Sequence, residues 1–219
     1  MATKKLILFG ASNFGDEIVQ LFRDINKASS SPVWDIVGFL DDNASSHGKV
    51  RNGVPVLGSK DWINSNDIKD ICFVCVIGNP KIKAKIVAFL KEKKAKFATG
   101  VHPSVIVSET SSVGEGTVIT AGNIITTNAQ IKDHIIINLA CTIGHYTVIE
   151  NYCTINPGAN ISGDVVLKEG VYIGTNATVL EKITIGKYSI LGAGAVANKE
   201  IPENVTAVGI PAKVIKQNN

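Results

Sequence analysis

The chain has 219 residues, of which 45 % are hydrophobic and 19 % charged, and its formal net charge is +3. That composition supplies a sizeable core, excludes a globally disordered chain and leaves too small a positive excess for a nucleic-acid footprint. No apolar run approaches the ~18 residues of a membrane helix, the N-terminal run meets Gly10 too early for a secretory signal, and four cysteines are too few for a disulfide scaffold, so a cytoplasmic setting is expected.

The first hundred residues alternate apolar runs with polar, helix-patterned stretches. Lys4–Phe9, Trp34–Leu40 and 71–77 predict buried strands, and 16–26 and 81–94 predict helices. The basic run 91–96 reads as a solvated helix face, and 28–32 and 43–53 read as loops. Strand, helix, strand, helix in that order points to βαβ units and a parallel sheet.

Residues 10–15, between the first strand and helix, read Gly-Ala-Ser-Asn-Phe-Gly. A glycine turn there brings backbone N–H groups and a helix N-terminus towards phosphate. Ser12 stands where a dinucleotide fingerprint has its middle glycine, which disfavours an NAD oxidoreductase. Asp41 and Asp42 end the second strand, where an acid accepts hydrogen bonds from a ribose or a base. Cys72 and Cys75 form a lone C-x2-C with no nearby histidine, so they are expected as core thiols on opposite strand faces rather than zinc ligands.

After residue 100 a different rule holds. Every sixth residue is aliphatic: Val107, Val113, Ile119, Ile125, Ile131, Ile137, Ile143, Ile149, Ile155, Ile161, Leu167, Ile173, Val179, Ile185 and Leu191. The position four later is small or apolar almost throughout, as at Thr117, Ala129, Cys141, Cys153 and Ala177. Glycine often follows the aliphatic, as at Gly114, Gly144 and Gly174. A hexapeptide period predicts a parallel β-helix. Three hexapeptides make one triangular coil, the aliphatic points inward, the small residue fills the space beside it, and the glycine eases the turn. Fifteen hexapeptides make five coils, a prism roughly 24 Å tall at strand spacing. The expected domains are residues 1–100 and 101–219.

Of the four histidines, His47 is expected in an exposed loop, His102 in a structural place at the domain junction, and His134 on the surface. His145 lies two residues past Ile143, at a corner of the prism, with Thr127 and Gly163 at the same corner of the neighbouring coils. Gly163 leaves room above the ring. An imidazole at an open corner is placed to take a proton from an attacking amine or hydroxyl.

The hexapeptide pattern, together with residues 5–15, 37–43, 76–83 (Val-Ile-Gly-Asn-Pro-Lys-Ile-Lys), 101–104 (Val-His-Pro-Ser) and 209–213 (Gly-Ile-Pro-Ala-Lys), resembles one family over about residues 4–215. It is the left-handed β-helix sugar acetyltransferases of bacteria, of the sialic-acid O-acetyltransferase and UDP-N-acetylbacillosamine N-acetyltransferase type. The resemblance implies an α/β, Rossmann-like βαβ domain followed by a left-handed parallel β-helix. It implies an acetyl-CoA-dependent N-acetyltransferase acting on a nucleotide-linked amino sugar, first of all a UDP-4-amino-4,6-dideoxy sugar. Gly10, Ser12, Asn13, Asp41, Asp42, Gly78, Asn79 and Lys83 would line the nucleotide site, with Lys83 standing where arginine is common.

His145 would be the general base, with Asn138 a polar site residue. Gly163, Thr175, Ala193 and Lys213 would meet acetyl-CoA, and Thr154 takes the place of a family histidine near the thioester. The family often has an acid directly after the histidine. Tyr146 stands there, so Asn138, Asp164 or a backbone carbonyl would orient the ring. The resemblance further implies a homotrimer, no metal, no acyl-enzyme, and neither nucleic acid nor membrane as partner. The alternatives are an O-acetyltransferase of sialic acid or a related sugar and a non-catalytic, nucleotide-binding trimeric scaffold. A zinc carbonic anhydrase on the same β-helix needs three clustered histidines, whereas only His134 and His145 lie in the coils, at non-equivalent corners.

Overall fold

In the computed structural model, which describes residues 3–218, the first unit is built from β1 (Lys4–Phe9), α1 (Asn13–Ala28), β2 (Trp34–Leu40), β3 (Val50–Arg51), β4 (Val54–Gly58), β5 (Ile71–Cys75), α2 (Pro80–Glu92) and β6 (Lys96–Phe97). The sheet order is β3-β4-β2-β1-β5-β6. The pairs are parallel except for the β3–β4 hairpin. β1 is central and buried on both faces. Leu6 and Leu8 pack with Ile18, Val19 and Phe22 of α1, while Ile7 and Phe9 pack with Phe73, Val87 and Leu90. Double-sided burial is why residues 6–9 are an unbroken apolar run after the two exposed lysines. Cys75 belongs to the second cluster and Cys72 packs against the first, on opposite faces as the strand period requires.

Both helices start earlier than the apolar periodicity predicts, because their caps lie upstream of it. The Ser12 side chain accepts from Gly15 N to cap α1, and Asn79 caps α2 ahead of Pro80. The segment 43–53 is not a plain loop: it holds a short 3-10 turn, Ala44–Ser46, and β3. A two-residue strand carries too little alternation to be read from sequence.

The second unit is a left-handed prism of three parallel sheets. The first face runs through Gly100–Val101, Val118–Ile119, Ile136–Ile137, Thr154–Ile155, Tyr172–Ile173 and Ile190–Leu191. The second includes Ile124–Ile125, Thr142–Ile143 and Asn160–Ile161, and the third includes Gln130–Ile131 and Val148–Ile149. Each rung has two residues, the first facing out and the second in. The inward aliphatics from Ile119 to Leu191 are at most 2 % exposed, and the small residues beside them are buried too.

The turn chemistry differs from the expectation. Left-handed backbone falls three residues after each aliphatic from Val113 on, at Gly116, Gly122, Asn128, His134, Ala140 and onward at the same spacing. The glycine directly after the aliphatic serves close approach instead: a Cβ on Gly144 would stand 2.5 Å from Gly163 N on the next coil. Val205–Val208 and the antiparallel Lys213–Gln217 close the first face. At its other end that face carries the βαβ unit. Its outward side chains Val118 and Ile136 are buried in the cluster that includes α1.

Candidate active site

A cavity of about 470 Å³ lies between the C-terminal ends of β1, β2 and β5 and the first face of the prism. β1 is flanked by β2 and β5, reached by crossovers in opposite directions, and such a switch point opens a crevice at the strand ends. Gly10, Ser12, Asp41 and Gly78 line it from one side, and Asn138 and Thr154 from the prism. Phe14, Glu17 and Asn156 line it as well, none of them assigned to this cavity from the sequence. Asn156 lies one coil above Asn138, so the eighteen-residue repeat carried that signal. Glu17 would have followed from starting α1 at its Ser12 cap.

The loop glycines are sterically required. Gly10 has φ +121°, and a Cβ on Gly15 would overlap Gly10 O. Asp41 holds the loop: Oδ2 accepts from Ala11 N at 2.7 Å and Oδ1 from Asn43 N at 2.8 Å. Asn13 Oδ1 accepts from Arg51 Nη2 at 2.9 Å, while the same guanidinium forks onto Asp16 at 3.2 and 2.7 Å. Arg51, hidden in the two-residue β3, thus places a fixed cation beside the glycine loop.

Other expected residues fall elsewhere. Asp42 points away, accepting from Lys60 N at 3.0 Å and pairing with Lys60 Nζ at 3.5 Å. Asn79 is occupied as the α2 cap and borders a second cavity, of about 710 Å³, beside Tyr172 and Tyr188. Lys83 does not line this cavity. It is fully buried and donates to Cys153 O at 3.0 Å and Thr154 Oγ1 at 2.9 Å. Thr154, 2 % exposed on the first face of the prism, lies beneath the βαβ unit at the floor of the cavity above.

His145 projects from the corner between the second and third faces, its side chain 57 % exposed. Gly163 lies directly over the ring, where a Cβ would stand 2.5 Å from Nε2. A carboxylate does face the ring, from the next coil rather than the next residue: Asp164 Oδ2 is 3.8 Å from Nδ1. Asp164 N also donates to His145 O at 2.8 Å, so the two residues share one rung of the corner. Tyr146 is exposed and only edges the imidazole, with centroids 6.0 Å apart. Asn138 occupies a different corner, between the first and second faces, where its Oδ1 accepts from Leu139 N. Thr175 and Ala193 are exposed on that same corner in successive coils, and Lys213 is exposed on the closing strand.

The remaining histidines divide. His134 is not a surface residue: it is 1 % exposed, edged by Phe97 at 4.6 Å and stacked on Tyr152 at 5.7 Å. Neither ring nitrogen has a partner among the described residues, and burial pushes its pKa down to about 4. His47 is half-buried, with Nε2 2.7 Å from Asp41 O. His102 sits 2.8 Å from Ser104 Oγ and 3.5 Å from Asp24, tying the junction to α1. Cys141 and Cys153 are buried in the prism core, and burial pushes their thiols up to about 11 and about 12. Among the described residues no cluster of histidine, cysteine and acids is arranged to hold a metal ion.

Residues 5–90 match the PglD N-terminal domain family, and 146–181 and 164–199 match the bacterial transferase hexapeptide (six repeats) family. The chain is 29 % identical over 216 residues to the GDP-perosamine N-acetyltransferase of Escherichia coli O157:H7, covering 96 % of each. It is 30 % identical to the acetyltransferase domain of PglB from Neisseria gonorrhoeae FA1090, solved with acetyl coenzyme A; the match covers 98 % of this chain and 100 % of that one, with a TM-score of 0.89. WeeI from Acinetobacter baumannii AYE is 28 % identical, with 97 % and 100 % covered and a TM-score of 0.85.

Proposed function

This chain belongs to the hexapeptide-repeat family of bacterial sugar N-acetyltransferases, and from that premise we propose that it transfers the acetyl group of acetyl-CoA to the amino group of a nucleotide-linked amino sugar. The observation that carries the chemistry is the exposed His145 imidazole with its Nδ1 facing the Asp164 carboxylate at 3.8 Å. Nδ1–H directed at Asp164 leaves Nε2 as the basic nitrogen. As the sugar amine attacks the thioester carbonyl, its proton passes to Nε2. The carbon–sulfur bond breaks, and the imidazolium returns the proton to the departing thiolate. The Asp164 contact tightens as the imidazolium forms, and a backbone N–H near Gly163 stabilises the oxyanion. The buried thiols keep their protons, so the transfer is direct.

The nucleotide would occupy the cavity under Asp41 and the glycine loop, with its phosphates at the start of α1 near Arg51. That cavity opens at the Asn138 corner, whereas His145 lies at the next corner of the same prism. In our reading a neighbouring prism brings its His145 corner to the cavity, and the acetyl-CoA arm runs between the two. Gly163 would border it on one prism, and Thr175 and Ala193 on the other. Ile106 and Ile124 on the second face and Tyr146 and Leu180 at the His145 corner are large, apolar and exposed, which suits burial between prisms in a trimer. No described helix is long and apolar enough to cross a membrane, and we place the enzyme in the cytoplasm.

The test is release of CoA thiol from acetyl-CoA with UDP-, dTDP- and GDP-linked 4-amino sugars, wild type beside His145→Ala. Turnover with one of them, lost in the variant, is the expected result. Activity on free sialic acid alone would replace the reading with O-acetylation. Full activity of His145→Ala would remove the assigned base.

A further inference from the structure

Lys83 lies on the buried stripe of α2 and is 0 % exposed. Its charged-state neighbours are the Cys75 and Cys153 thiols rather than a carboxylate, and burial lowers its pKa to about 8. Taking an unpaired cation out of water costs several kcal/mol, and packing alone would be better served at this position by methionine or leucine. The hydrogen bonds show what the lysine does there. An ammonium only donates, so Nζ must donate to Thr154 Oγ1, at 2.9 Å. The threonine hydroxyl hydrogen is thereby directed onward, and it donates to Gly78 O at 2.8 Å. The relay runs one way, from a cation wedged against the prism to the loop between β5 and α2.

Gly78 is the residue common to both cavities. A Cβ placed on it would meet nothing within 4 Å, so side-chain packing does not hold this turn. Holding its carbonyl towards the prism also sets the plane of the 78–79 peptide, and with it the approach to the Asn79 cap. We propose that Lys83 is a positioning residue for the nucleotide: acting through Thr154, it clamps the Gly78 turn to the prism face and so sets the width of the cavity under the glycine loop. The clamp rests on the reading above that this cavity takes the nucleotide.

The test compares Lys83→Met, Thr154→Val and Thr154→Ser with wild type. UDP, GDP and dTDP binding is measured by calorimetry, steady-state KM for nucleotide sugar and acetyl-CoA separately, melting temperature by scanning, and amide exchange over residues 76–82. Lys83→Met leaves no acceptor stranded, because Cys153 O keeps its ladder bond from Ile136 N and Thr154 still has Gly78. It should fold with an unlowered melting temperature. The expected result is roughly tenfold weaker binding of the nucleoside diphosphate and a matching rise in KM for the nucleotide sugar in Lys83→Met and Thr154→Val. The KM for acetyl-CoA should hold, exchange at 76–82 should accelerate, and Thr154→Ser should restore both. Unchanged nucleotide binding in both disrupting variants overturns the proposal, as does a joint fall of melting temperature and both affinities. If wild type binds none of the three nucleotides, the reading of the cavity has failed instead. Exchange at 76–82 then judges the clamp alone, and no change in Lys83→Met refutes it.

Discussion

The imidazole of His145 lies under Gly163 so closely that a single methyl group on that glycine would contact the ring edge, 2.5 Å from Nε2. The ring is the free end of an exposed side chain, so it can swing aside at little cost to the fold. Gly163→Ala should therefore melt close to wild type yet lose kcat by about ten- to a hundredfold, because misplacing a proton acceptor by an ångström is that costly. Steady-state kinetics beside a thermal melt checks this. A variant that keeps its kcat would show that the ring already works from another rotamer.

The carboxylate that faces His145 comes from the coil above. Asp164→Asn keeps the size and the left-handed backbone of that corner (φ 58°) but removes the charge facing Nδ1. A drop of about tenfold in kcat is expected, with both KM values held. Tyr146 also sits in left-handed backbone (φ 55°), which aspartate tolerates. Adding Tyr146→Asp to Asp164→Asn should recover part of the loss by supplying the acid from the chain position directly after the histidine. Wild-type kcat in Asp164→Asn would assign the orienting role to a backbone carbonyl.

The prism was legible because its period is a direct image of its geometry: one inward aliphatic per face repeats every six residues, whatever the outer positions carry. Thr127, His145 and Gly163 followed from the same arithmetic. The parts that escaped depend on contacts between distant segments. His134 occupies an outer turn position like many surface residues of the prism, and its burial comes from Phe97, Tyr152 and the close approach of Gly116. Arg51 reaches Asp16 from a hairpin too short to show a pattern. Lys83 did leave a trace. It falls three residues before Ile86 and four before Val87, on the apolar stripe of α2, a spacing overridden by the resemblance that put it in the nucleotide site.

His134 makes acid stability a test of the domain junction. Burial lowers its pKa to about 4, opposed by Asp133 and reinforced by Lys91 and Lys83. Above about pH 6.5 the ring is neutral in both states and adds no pH dependence. Between about 6.5 and 4 the unfolded chain takes up a proton that the folded one refuses, so stability falls as pH falls, by roughly 3 kcal/mol over the window. His134→Phe, which keeps a ring between Phe97 and Tyr152, should flatten that segment of the curve of unfolding free energy against pH. Equal slopes in the two proteins would mean that His134 is protonated or hydrated in the native state.

A shared site makes a prediction that no single-chain site can satisfy. Asp41 accepts one hydrogen bond from the glycine loop, at Ala11 N, and a second from Asn43 N in its own turn, and His145 stands on another corner of the prism. Asp41→Ala should disable the cavity of its own subunit by freeing that loop. His145→Ala should disable only the site to which its corner is presented. Each pure variant should be close to inactive at low nucleotide-sugar concentration. Unfolded together and refolded as mixed trimers, each site of the proposed arrangement would draw its cavity and its histidine from different chains. In an equal mixture roughly a quarter of the sites then combine an intact cavity with an intact histidine, by random assortment around a cyclic trimer. Recovery of activity near that level, absent when the two proteins are merely combined without exchange, is expected. If refolded mixtures stay as inactive as their components, His145 and Asp41 serve the same site from one chain, and the corner assignment must be redrawn.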